Sequence, residues 1–165
     1  MNYEELVTII IESSRLDKVH PVVRDYELQL ELTLDNPKPI KVITGIRRSG
    51  KSFLLKKLYI SLTEKKHISK NNILFLNFEN DRLIPCKSAA DLRKIYELFL
   101  TRVDTGPPLY IFLDEVQNIS DWESFVRTIY DSTTHHIYVT GSNSQLLSKE
   151  IATTLGGRTL EFHIF

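Results

Sequence analysis

The chain has 165 residues, 42% of them hydrophobic and 25% charged, the profile of a single soluble globular domain large enough to bury a core. Its 21 basic and 21 acidic residues cancel to a formal net charge of +0, which removes any bulk electrostatic case for nucleic acid or an anionic membrane surface. Cys86 stands alone and excludes an internal disulfide, no apolar stretch approaches the ~20 residues of a bilayer span, and the acidic start Met1-Asn2-Tyr3-Glu4-Glu5 does not read as a signal peptide, so a cytoplasmic location is the default expectation.

Tyr3 to Ser14 carries Leu6, Val7, Ile9, Ile10 and Ile11, a broad apolar face that predicts a helix. Val22 to Leu34 predicts a second, with Pro21 at its start and Asn36-Pro37 at its end. Pro39 introduces a first strand, Ile40 to Thr44. A helix from Lys51 to Leu62 follows, expected to bury Phe53, Leu54, Leu55, Leu58 and Leu62. Glu64 to Asn72 is a polar connector. Ile73 to Phe78 is almost continuously apolar, as expected for a strand covered on both faces. Ser88-Ala89-Ala90-Asp91 has the form of a capping box, opening a helix through Leu92, Ile95, Tyr96 and Phe99 that Gly106-Pro107-Pro108 ends. Leu109 to Leu113 is another buried strand. Ser120-Asp121-Trp122-Glu123 predicts a second capping box, ahead of Phe125, Val126, Ile129 and Tyr130 at helical spacing. His135-His136 reads as part of a solvated loop. Ile137 to Thr140 is a short strand, Ser144 to Leu155 a helix closed by Gly156-Gly157, and Thr159 to Phe165 a last strand. Strands alternating with helices imply parallel crossover units and an α/β sheet with helices on both faces.

Within this pattern, Gly45-Ile46-Arg47-Arg48-Ser49-Gly50-Lys51-Ser52 matches the G-x-x-x-x-G-K-[ST] phosphate loop, placed between a strand and a helix. Glycines let the backbone wrap phosphates closely, successive N–H groups form an anion nest, and the helix N-terminus adds its positive end. Lys51 is expected to reach the β- and γ-phosphates and the Ser52 hydroxyl to ligate Mg²⁺. With Phe53, these eight positions are the candidate nucleotide-binding residues. The strand Leu109 to Leu113 runs into Asp114-Glu115, two acids at the end of a buried strand, where ligands of parallel sheets bind. Asp114 suits the hydration shell of Mg²⁺, and Glu115 suits a general base that polarises an attacking water. Asp114 is followed by Glu115-Val116-Gln117 rather than a D-x-x-G turn, and no N-K-x-D follows, which favours ATP hydrolysis by water.

Past the next strand, Thr140-Gly141-Ser142-Asn143 offers hydroxyls and an amide that can sense a γ-phosphate or the lytic water. Ser142 is the first candidate, then Thr140 and Asn143; the competing reading makes Ser142 or Ser144 a helix N-cap. Arg158 reads either as an arginine finger acting on a neighbouring subunit or as a surface arginine after a helix end. Arg47 and Arg48 are open between phosphate, acidic and partner contacts. Asn77 is either a restraint on Glu115 or a plain strand-end residue.

G-I-R-R-S-G-K-S, F-L-D-E-V-Q, I-Y-V-T-G-S-N-S and L-G-G-R, in this order, resemble a family of prokaryotic AAA-type P-loop ATPases, from about Arg24 to the last residue. The resemblance implies a three-layer αβα sandwich of about five parallel strands in the order 5-1-4-3-2. It implies Lys51 and Ser52 for nucleotide and metal, Asp114 and Glu115 for magnesium and water, the Thr140–Asn143 turn as sensor, and Arg158 at the finger position. Members continue into a helical lid and a C-terminal domain. On that basis residues 1–38 are expected to lead into the core, residues 39–165 to be the ATPase core, and the lid and C-terminal domain to lie beyond. The expected activity is Mg²⁺-dependent hydrolysis of ATP to ADP and phosphate, driving conformational change in a larger protein, with turnover by this piece alone weak or absent. A nucleotide-gated interaction module with little turnover is the alternative, and a small-molecule phosphotransferase the third reading. Homo-oligomerisation of the longer parent belongs to the same expectation, a protein or nucleic-acid partner stays open, and no membrane partner is expected.

Overall fold

The structure is a computed structural model and describes residues 1–13, 25–104 and 106–165. The expected helix start at Pro21 and Val22, and the end of the first helix at Ser14, lie outside the described residues. Five parallel strands, β1 (Ile40–Gly45), β2 (Ile73–Asn77), β3 (Tyr110–Asp114), β4 (His136–Gly141) and β5 (Thr159–Ile164), form one sheet in the order β2-β3-β4-β1-β5. Read from the other edge, this is 5-1-4-3-2, as the resemblance implies. Among the described residues, six α-helices connect or flank the strands: α1 (Tyr3–Ser13), α2 (Asp25–Leu32), α3 (Lys51–Ile60), α4 (Ala89–Leu100), α5 (Trp122–Ser132) and α6 (Ser144–Thr154). Among the described residues, no helix is long and apolar enough to cross a membrane.

Alternation along each strand sends side chains to opposite faces, which builds two cores. One face, with Ile40, Val42, Leu74, Leu76, Ile111, Leu113, Ile137 and Val139, is covered by Ile9 and Ile10 of α1 and the apolar stripes of α4, α5 and α6. The other face, with Ile43, Phe75, Phe112 and Tyr138, is covered by Leu30 of α2 and Leu54, Leu55 and Leu58 of α3. An aromatic ladder crosses this second face, Phe75 on Phe112 at 5.6 Å and Phe112 on Tyr138 at 4.9 Å between ring centres. β5, at the edge, is largely exposed.

Three local expectations change. The Ser88 capping box forms as expected, its hydroxyl taking Asp91 N–H and the Asp91 carboxylate taking Ser88 N–H. The Ser120 box does not. Ser120 is drawn into a parallel bridge beside Ser88, its N–H and hydroxyl both donating to the Lys87 carbonyl, so α5 starts from Asp121 in the left-handed region (φ 56°) without a side-chain cap. His135-His136 is not a solvated loop: His136 begins β4, is buried, and stacks on Tyr110 at 4.3 Å, while His135 Nε2 pairs with the Tyr96 hydroxyl. Phe53, expected inside, is 39% exposed beside the phosphate loop with the Lys57 ammonium 5.0 Å above its ring, because it sits on the first turn of α3 rather than over the sheet.

Candidate active site

The site lies at the C-terminal ends of β1, β3 and β4, which are neighbours in the sheet. β1 delivers the loop Gly45–Ser52. Gly45 must lack a side chain, since a Cβ there would stand 2.5 Å from the Ile164 carbonyl oxygen of β5. Gly50 has φ +98° and Arg48 φ 65°, so left-handed residues alternate with ordinary ones, the backbone pattern of an anion nest.

Lys51, the first residue of α3, is 3% exposed. Its ammonium donates to the carbonyls of Gly45 and Ile46, each at 3.0 Å, and lies 3.5 Å from Glu115 Oε1. The side chain is therefore folded into its own loop and paired with the strand-end acid.

Asp114 ends β3 completely buried. The Thr140 hydroxyl of β4 donates to its Oδ1 at 2.5 Å and accepts the Glu115 N–H at 2.9 Å, tying the two acids to the neighbouring strand. Oδ2 is buried, and no hydrogen bond reaches it among the described residues. Burial raises Asp114 above the usual carboxylate range, with the Glu115 charge adding to it, against the hydroxyls of Ser52 and Thr140 and the charge of Lys51. The orphaned Oδ2, with the Ser52 hydroxyl facing the same carboxyl group, is a hard oxygen pair that fits Mg²⁺.

Glu115 sits in the left-handed region at φ 57°, a strained placement for a non-glycine residue that aims its side chain back over the loop. Its Oε2 accepts from Gln117 Nε2 and from the Ser142 hydroxyl, both at 2.6 Å. Burial pulls Glu115 upward, yet hydrogen bonds from Gln117 and Ser142 and the Lys51 charge outweigh it, and the carboxyl is held below its ordinary value. Adjacent acids are thus pushed in opposite directions, the pattern by which one chain divides two carboxylates between roles.

Of the sequence-predicted residues, Lys51, Ser52, Asp114, Glu115, Thr140 and Ser142 are brought together with the loop Gly45, Ile46, Arg47, Arg48, Ser49 and Gly50. Arg47 and Arg48 are exposed, and Arg47 pairs with Glu79 at 3.4 Å. Asn77 does not restrain Glu115: its side-chain oxygen accepts from Glu79 N–H in its own turn. Arg158 is not at this site. Its carbonyl accepts from Ile40 N–H, at the opposite end of β1 from the loop, and its guanidinium bonds Asp131 at 3.1 Å. Gln117 is the residue that sequence reasoning missed. It stands in the quoted motif, but only the fold places the turn Val116–Asn118 against Ser142.

The sequence model of a family described as an AAA domain matches residues 37–165. An uncharacterised protein of Methanocaldococcus jannaschii is 37% identical over 162 residues, covering 98% of this chain and 33% of that protein. An uncharacterised protein of Haemophilus influenzae is 35% identical over 144 residues, covering 87% of this chain and 35% of that protein. The chain thus spans about a third of the length of the curated relatives it matches. A solved DNA polymerase III gamma subunit-related protein from Thermotoga maritima superposes with a TM-score of 0.61 at 14% identity, over 86% of this chain and 46% of that one, a likeness of fold alone.

Proposed function

The chain belongs to the AAA domain family, an ATPase-type nucleotide-binding core, and from that premise we propose that it hydrolyses ATP to ADP and phosphate with Mg²⁺. The observation that carries the reading is the convergence of Lys51 from the start of α3, the consecutive acids Asp114 and Glu115 from the end of β3, and Ser142 from the turn after β4, with Glu115 held below its ordinary value 3.5 Å from Lys51. The backbone N–H groups of the loop Gly45–Ser52 would take the phosphates, and Lys51 exchanges Glu115 and its two loop carbonyls for the β- and γ-phosphate oxygens. Ser52 and Asp114 would hold Mg²⁺, which when bound neutralises charge developing between the β- and γ-phosphates. Glu115 takes a proton from water as the water oxygen bonds to the γ-phosphorus and the bond from that phosphorus to the bridging oxygen breaks. Thr140 keeps the two acids in register, and Ser142 is the sensor group, because it already touches the base.

Hydrolysis would drive a conformational change in a longer protein, in keeping with relatives about three times the length of the matched region. A second reading, a nucleotide-gated interaction module with little turnover, draws on the Lys51–Glu115 pair, in which the phosphate-loop lysine engages the base. The test is Mg²⁺-dependent phosphate release by the wild type and by Glu115→Gln. A rate lower by about a hundredfold in the variant supports hydrolysis, as expected for loss of a general base; equal rates remove Glu115 from catalysis, and tight ATP binding with no release in the wild type selects the gated module.

A further inference from the structure

Gln117 follows β3 on the turn Val116–Asn118, and its amide does two things at once. Nε2 donates to Glu115 Oε2 at 2.6 Å and to the Ser142 hydroxyl at 3.2 Å, while that hydroxyl donates to the same Oε2. Three side chains close a triangle on one oxygen of the base. The other oxygen, Oε1, faces Lys51 and the loop.

The seat of this amide has a visible cost: among the described residues, no hydrogen-bond donor reaches the buried Gln117 Oε1. The seat also adjoins the turn after β4: a Cβ on Gly141 would stand 1.9 Å from Leu147 Cδ1 and 2.8 Å from Gln117 Oε1, so this glycine packs against both side chains. The motif Leu113-Asp114-Glu115-Val116-Gln117 and the motif Thr140-Gly141-Ser142-Asn143 are therefore one interlocked unit rather than two sites.

Lys51 is the other group holding Glu115, and it cannot serve the phosphates and Glu115 equally well. Once phosphates engage Lys51, the contacts left on the carboxylate are those of Gln117 and Ser142. We infer that Gln117 is the positioning residue of this site, fixing one oxygen of Glu115 against the Ser142 turn so that the other stays directed at the loop after Lys51 has changed partner. The inference rests on the hydrolytic role proposed for Glu115.

The test is a double-mutant cycle with Gln117→Met, which keeps the side-chain volume and removes the donor, in the wild-type and Glu115→Gln backgrounds. Alongside it, the side-chain amide resonance of Gln117 is followed by NMR in the nucleotide-free protein and in Glu115→Ala. Gln117→Met is expected to lower kcat by about tenfold to a hundredfold with KM within about twofold, and to cost nothing further once Glu115 is replaced. The amide resonance should move on Glu115→Ala. An unchanged kcat, the same fold-loss in both backgrounds, or an amide resonance indifferent to Glu115→Ala each overturns the inference. A wild type without turnover defeats the hydrolytic reading instead, and the amide resonance then decides the Gln117 contact alone.

Discussion

One buried lysine stands near the start of β1 and another opens α3 beyond the far end of that strand, and the two meet opposite surroundings. Lys41, 1% exposed near the strand's start, donates to the Asn36 carbonyl and lies 5.2 Å from the centre of the Tyr138 ring; burial alone drives it toward its neutral form, down to about 8. His136 beside it is likewise pushed down to about 4, by burial first and by the Lys41 charge second. Lys51, 3% exposed just past the far end, is matched with a carboxylate held ionised. The amino-terminal end of the sheet pushes its buried cations toward neutrality with aromatic rings and backbone carbonyls. The carboxyl-terminal end instead sets a buried ammonium 3.5 Å from a carboxylate that is held below its ordinary value. Burial depth is the same at both ends; what separates a structural end from a chemical one is whether the buried charge has an opposite charge to meet.

The comparison breaks first at the lysines. Lys51→Ala should weaken ATP binding by about a hundredfold or more, since it removes a buried charge partner of the phosphates. Lys41→Met should leave ATP affinity within about twofold, because its ammonium meets a carbonyl and a ring at the end of β1 away from the loop. Titration with a fluorescent ATP analogue reads both, and a matched loss would erase the distinction between the ends.

Glycines sharpen it next. Gly141→Ala should cost about 2 kcal/mol in urea unfolding, because the added methyl overlaps Leu147 and crowds Gln117. Gly106→Ala, before β3 at the amino-terminal end, meets nothing within 4 Å and should stay within about 0.5 kcal/mol.

The smallest effect is in pH. His136 has a folded value of about 4 against an ordinary 6.5, so between these values the unfolded chain binds more protons. Stability contributed by neutral His136 is full above that window and is lost as pH falls through it, by about 1–2 kcal/mol from about pH 7 to about pH 5. His136→Phe keeps the ring on Tyr110 and should flatten that part of the curve. An unchanged slope would mean that His136 takes up its proton when folded.

Much of the layout is legible in the sequence. Continuous apolar runs mark β2 and β3, since a strand covered on both faces has no polar side, and the glycine-lysine-serine loop marks its own phosphate chemistry. The strand order came through the resemblance, because spacing alone cannot order parallel strands. What stayed hidden depends on distant contacts. Ser120 had a capping-box pattern but found Lys87 across the bridge. His136 looked like loop until the sheet placed it on Tyr110. Gln117 lies two residues from Glu115, a spacing that carries no signal until the turn brings its amide to Ser142. Arg158 follows the end of α6, and only the pairing of β5 with β1 reveals that it sits at the end away from the loop.

The central claim is that charge buried at the carboxyl-terminal end is there to move a proton. Its most direct test is single-turnover hydrolysis of ATP with Mg²⁺ by the wild type, Glu115→Gln and Lys41→Met, with ATP affinity measured on the same samples. The account predicts hydrolysis slower by about a hundredfold or more in Glu115→Gln alone, with affinity retained in all three. Wild-type rates in Glu115→Gln, or an equal loss in Lys41→Met, would contradict it.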